Sequence, residues 1–165
     1  MSDDDEARAR DRAEKLARIN EAFSGFVPHN KALGLSVIDF GRGRAVMRLP
    51  YDLRLVGDPE TGVLHGGAVS ALIDACSGAS VFMKLESPVP IATLDLRIDY
   101  LHPATPGRDV LARADCYKLT SSVAFVRAVA YHDSPDEPLA TSASTFMVST
   151  RGRSVLQRME QGEKP

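Results

Sequence analysis

The spacing of hydrophobic positions changes along the chain and marks out its elements. Over residues 4–24, Leu16, Ile19, Ala22 and Phe23 recur at helical spacing among charged residues, which predicts an amphipathic helix. From Leu33 the pattern turns to alternation: LGLSVIDF, a turn at Gly41-Arg42-Gly43, then RAVMRLP, a hairpin that closes at Pro50. The stretch YDLRLVGDPETG reads as a loop. It leads into Gly62–Lys84, which reads as one helix carrying a single charge, Asp74, before Lys84.

Pro88 and Pro90 stop that helix, and four strand-like runs follow: IATLDLRIDYL, DVLARADCYKL, SVAFVRAVAYH and PLATSASTFMVS. Their connections are short and turn-rich, so the strands are expected to pair mostly antiparallel. In the first run, alternation places Leu94, Leu96, Ile98 and Tyr100 on the core face and Thr93, Asp95, Arg97 and Asp99 on the other. A helix that is apolar nearly all round must be buried nearly all round. A curved antiparallel sheet wrapped about it meets that need, giving an α+β domain over residues 30–150. A charged N-terminal segment, 1–29, precedes it and a polar tail, 151–165, follows.

Composition narrows the function. The chain has 165 residues, 44% of them hydrophobic, enough for one domain with a core and too few for two. A net charge of -2 supplies no basic field, so nucleic acid is not an expected partner. The two cysteines, Cys76 and Cys116, show no metal or redox spacing and suit a reducing, cytoplasmic setting. The acidic opening MSDDDEARARDRAEK does not resemble a signal peptide. The longest apolar run, Ala68 to Met83, is interrupted by Asp74, so no membrane span is expected. His29, His65, His102 and His132 are scattered, with no metal-ligand pattern.

The candidate chemistry sits on the central helix. His65-Gly66-Gly67 marks its start, where N–H groups lack partners and the macrodipole is positive, so the glycines either ease the entry into the helix or hold a developing oxyanion. Asp74 is costly on an apolar helix unless it is paired or used. Gly66 and Asp74 lie ~12 Å apart along a helix, whereas an oxyanion donor and a base must both come within ~3 Å of the reacting groups. Two antiparallel copies of the helix satisfy both distances. This predicts a homodimer with its sites at the interface.

The stretch TGVLHGGAVSALIDACSGAS, with the strands from IATLDLRIDYLHPATPG to LATSASTFMV, resembles the hotdog-fold acyl-CoA thioesterases of the PaaI-like type over roughly residues 30–148. The resemblance implies a sheet wrapped around a long helix, a dimer or a dimer of dimers, and hydrolysis of an acyl-CoA thioester without metal or cofactor, coenzyme A being part of the substrate. Gly66 falls on the backbone donor to the thioester carbonyl, with Gly67 beside it. Asp74 falls on the nucleophile or general base, and Thr93 on the hydroxyl that holds the water or the carboxylate. The alternation, however, turns Thr93 away from the helix. His65 is expected to order the loop through its ring.

Asp58, Val63 and Leu64 are assigned to substrate contact. The family's loop Asn is replaced here by Pro59, or by Asp58 if the loop carries one extra residue, and Asp58 also reads as a turn residue. Ala68, Val69, Leu72, Ile73 and Val81 offer apolar surface for a medium-chain or aromatic acyl group. Arg151, Arg153 and Arg158 either meet the phosphates of coenzyme A or form a solvated tail. Cys76, about 200° round the helix from Asp74, is assigned to packing. Two other readings are an acyl-CoA-binding protein with little turnover and a hotdog dehydratase acting on hydroxyacyl thioesters.

Overall fold

The computed structural model describes residues 3–148 and 160–162. The chain runs α1 (Asp3–Asn20), a π-helical turn (Glu21–Gly25), α2 (Pro28–Ala32), β1 (Ser36–Gly41), β2 (Arg44–Leu49), a 3-10 turn (Leu53–Leu55), β3 (Val56–Asp58), β4 (Val63–Leu64), α3 (Gly66–Phe82), β5 (Ile91–Tyr100), β6 (Val110–Leu119), β7 (Val123–Tyr131) and β8 (Ala140–Val148). Six strands form one antiparallel sheet in the order β1-β2-β6-β7-β8-β5, and β3 pairs with β4 in a separate small hairpin.

α3 lies chiefly over β2, β6 and β7. Strand sequence explains how it can lie there. The buried positions of β6 and β7 are mostly alanine, Ala112, Ala114, Ala124, Ala128 and Ala130, so the helix approaches the sheet closely. Met47, Leu49, Val110, Val126, Leu72 and Ile73 fill the space around it, all at 0% exposure. The N-terminal segment covers one side, where Ala22 and Phe23 are buried and the Phe23 ring meets Phe82 edge-on at 5.2 Å.

Several expectations change here. α3 begins at Gly66; Gly62 to Leu64 lead into it as turn and strand, because the His65 N–H bonds to the Leu55 carbonyl at 2.8 Å and ties this segment to the loop before it. β5 does not alternate throughout. Its pairing with β8 shifts between Thr93 and Asp95, so Leu94 is an extra, bulged residue and is 57% exposed. The bulge inverts the faces only on its N-terminal side: Thr93 turns toward α3, against the expectation, and Leu94 leaves the core side, while Leu96 and Ile98 pack against the core and Tyr100 reaches α3, on the side expected. The residues 151–159, with Arg151, Arg153 and Arg158, lie outside the described residues. No helix among the described residues is long and apolar enough to cross a membrane.

Candidate active site

The first turn of α3 is held by its own neighbours. His65 caps the helix in extended conformation, φ -62° and ψ 132°, and its Nδ1 accepts the Gly67 N–H at 2.9 Å. That bond assigns the neutral ring's proton to Nε2. It also explains Gly67, since a Cβ there would stand 2.9 Å from His65 Nδ1 and displace the ring. Of the two glycine amides assigned to an oxyanion, Gly67's is therefore already occupied. Gly66's has no acceptor among the described residues. The donor reading narrows to Gly66, and the ring of His65 orders this turn.

Two turns on, Asp74 is half-buried and its Oδ1 accepts a 2.9 Å hydrogen bond from Thr93 Oγ1. The β5 bulge makes this contact possible within one chain. The second carboxylate oxygen has no hydrogen-bond partner among the described residues. Asp74 opens on a cleft of about 310 Å³ whose walls include Phe23, Val27, Ala75, Gly78, Phe82 and Phe146. A second cleft, of about 380 Å³, runs past His65, Gly67, Ala68 and Arg54 and shares His29 and Ala71 with the first.

The apolar lining is not the set expected. Val69, Leu72, Ile73 and Val81 are packed in the core, and of those named only Ala68 reaches a cleft. The cleft-facing residues of α3 are Ala71, Asp74, Ala75, Gly78 and Phe82, the stripe at i-3, i+1, i+4 and i+8 from the carboxylate. That spacing was available in the sequence as the signal for them. A Cβ on Gly78 would meet only Ile91 Cδ1 and Phe146 Cε1, both at an ordinary 3.7 Å. Alanine would thus fit, and glycine in mid-helix costs ~1 kcal/mol relative to alanine. What Gly78 provides is room one turn beyond Asp74.

The substrate-contact assignments separate. Leu64 is 5% exposed and belongs to the core, since β4 tucks its side chain inward, so it is corrected to a packing residue. Val63 is half-buried in the same hairpin. The Asp58 carboxylate accepts from Thr61 Oγ1 at 2.7 Å and from the Glu60 N–H at 3.0 Å, bonds that hold its pKa below the usual carboxylate range. It acts as a turn-former and does not replace the amide of an Asn. Cys76 is fully buried, and burial pushes its thiol up to about 12, which suits packing and excludes a nucleophile.

With this geometry in view, the thioesterase superfamily model matches residues 61–139, from β4 through α3 to β5, β6 and β7. The chain belongs to the thioesterase superfamily and has its hotdog fold. Among solved structures, a protein from Pseudomonas aeruginosa is 41% identical, with a TM-score of 0.73, and the match covers 81% of this chain and 98% of that one. A mutant of the phenylacetic acid degradation protein PaaI from Thermus thermophilus is 27% identical at a TM-score of 0.65, covering 74% and 99%. The medium/long-chain acyl-CoA thioesterase YigI of Salmonella typhimurium is 27% identical over 146 residues, 81% of this chain and 93% of that one. A Halobacterium salinarum protein is 38% identical over 94 residues, and there the match spans 61% of the relative's length.

Proposed function

We propose that the protein hydrolyses the thioester of an acyl-CoA with an apolar, medium-chain or aromatic acyl group, giving the free acid and coenzyme A. The observation that carries this reading is Asp74, held by Thr93 at the mouth of an apolar cleft that Gly78 keeps open. A carboxylate above an apolar pocket suits an acyl chain that buries its tail and leaves its carbonyl at the mouth. The family and the YigI likeness support the same substrate class.

The chemistry divides between two parts of α3. The Gly66 N–H, at a helix N-terminus, is the donor to the oxygen that gains negative charge. Asp74 supplies the other half by one of two routes. It attacks the carbonyl carbon, expelling the thiolate and forming an anhydride that water then opens, or it takes a proton from the water that attacks. Because the two groups are ~12 Å apart on a rigid helix, one carbonyl can meet both only if a second chain contributes one of them. In this reading two copies run their helices antiparallel, and each pairs its Gly66 with the other's Asp74.

The test is thiol release from a panel of short, long and aromatic acyl-CoAs by wild type and Asp74→Asn. The expected result is turnover by wild type, a loss of ~10²-fold or more in the variant, as for a general base, and a preference for apolar acyl groups. Tight binding of CoA esters with no Asp74-dependent hydrolysis would replace the reading with that of a binding protein.

A further inference from the structure

β5 touches both halves of the proposed site, and it does so through residues that a regular strand would put on opposite faces. Thr93 and Tyr100 are seven positions apart, so strict alternation would send one toward α3 and the other away. The bulge at Leu94 adds one residue and brings both to the helix: Thr93 to Asp74, and Tyr100 to the first turn.

At that turn Tyr100 Oη donates to the Gly66 carbonyl at 2.7 Å. Ser70 Oγ lies 2.7 Å from the same hydroxyl and 3.1 Å from the Gly66 carbonyl. Each hydroxyl has one proton, and the shorter contact to the carbonyl, 2.7 Å against 3.1 Å, favours Tyr100 as its donor, with Ser70 donating to Tyr100 in a chain in which each bond strengthens the next. The Gly66–Gly67 peptide is thus held at both ends, its oxygen by Tyr100 and its N–H by His65 Nδ1. The preceding peptide is held as well, since the His65 carbonyl accepts the Ala68 N–H at 3.0 Å. The Gly66 N–H belongs to that preceding plane, and anchoring the plane on the other side of the Gly66 Cα restrains its rotation.

We infer that Tyr100 is a positioning residue: through the Gly66 carbonyl it fixes the direction of the Gly66 N–H and so of the oxyanion donor. The inference rests on the reading of Gly66 as that donor. In the single chain Tyr100 is 51% exposed, so packing within that chain does not demand this hydroxyl.

The experiment compares wild type, Tyr100→Phe and Ser70→Ala in two measurements, thioester hydrolysis with kcat and KM resolved, and hydrogen exchange of the Gly67 amide in the free protein. In Tyr100→Phe we expect kcat to fall ~10-fold, less than the ~10²–10³-fold for losing an oxyanion donor outright, with KM within about twofold of wild type. Gly67 exchange should quicken, reporting release of the clamped peptide. Ser70→Ala, which leaves the Tyr100 bond in place, should follow in the same direction with a smaller change. It serves as the second variant should Tyr100→Phe fold poorly. Unchanged kcat, or an effect confined to KM, overturns the positioning role. Unchanged Gly67 exchange overturns the clamp itself, whatever the activity. Failure of wild type to hydrolyse any ester overturns the thioesterase reading and the catalytic consequence with it, while the exchange result still judges the clamp.

Discussion

The two turns of α3 to which we assign the chemistry are built in opposite ways. At its start the working group is backbone: Gly66 offers an N–H, and the side chains of His65 and Tyr100 hold the adjoining peptide in place. Two turns later the working group is a side chain, Asp74, with one oxygen held by Thr93 and the other without a partner among the described residues, above a cleft walled by phenylalanines. In the proposed function the first turn recognises charge as it develops. In that same proposal the second supplies a reactive oxygen and receives the acyl tail. On the function proposed above, the pair cannot act within one chain, because a rigid helix keeps the two turns ~12 Å apart.

Substitutions can test each side of this contrast separately. The largest effect is expected at the first turn from Gly66→Pro. Proline suits the first position of a helix, and His65 already has the extended conformation that must precede it, so the change chiefly removes one N–H. Turnover should fall ~10²–10³-fold with the helix intact, measured by thiol release and circular dichroism. Asp74→Asn, described above, should give a comparable loss from the other side.

Gly78→Leu should sharpen the contrast by touching only the cleft. It fills the space one turn beyond Asp74, so hydrolysis of long or aromatic acyl-CoAs should fall ~10-fold or more while the shortest esters are still cleaved, since a pocket distinguishes about 10–200-fold per methylene. Equal losses on all esters would mean that the acyl group lies elsewhere. The smallest effect is expected from Thr93→Val, which removes one hydrogen bond to Asp74 and keeps the side chain's shape. A hydrogen bond to a charged group is worth about 1.5–3 kcal/mol, and for a half-buried carboxylate the lower end applies, so a loss of roughly 10-fold in kcat is the expected scale.

Much of this architecture is legible in the sequence, for definite reasons. The runs of β6, β7 and β8, legible as strands with short connections, lie beside one another in the sheet and pair antiparallel as expected, with Ala112, Ala114, Ala128 and Ala130 inward. The His65-Gly66-Gly67 entry and the lone Asp74 stand out because each breaks the composition around it. The bulge in β5 does not stand out. Thr93-Leu94-Asp95 continues a polar-apolar-polar rhythm, and only pairing with β8 reveals that one residue is extra. The assignment of Thr93 to the wrong face follows from that.

Short elements were also hidden, because distant residues hold them. α2 is fixed by Asn30 Nδ2 donating to the Phe23 carbonyl at 2.6 Å, and the β3–β4 hairpin by the His65–Leu55 bond. Neither leaves a periodic pattern. The lining of the cleft was within reach, since it follows Asp74 at helical spacing. Of the apolar residues assigned to it, Val69, Leu72, Ile73 and Val81 are the ones whose size makes them core, and Ala68 lines the neighbouring cleft.

The central claim is that each site takes its donor from one chain and its carboxylate from another. It is tested most directly by refolding Gly66→Pro and Asp74→Asn together, at equal amounts, and assaying the mixture. If sites are shared between antiparallel copies, half of the dimers carry one whole site, and activity should return to about a quarter of wild type. If the mixture shows only the sum of two nearly inactive proteins, although mixed dimers have formed, the donor and the carboxylate belong to the same chain and the account is wrong.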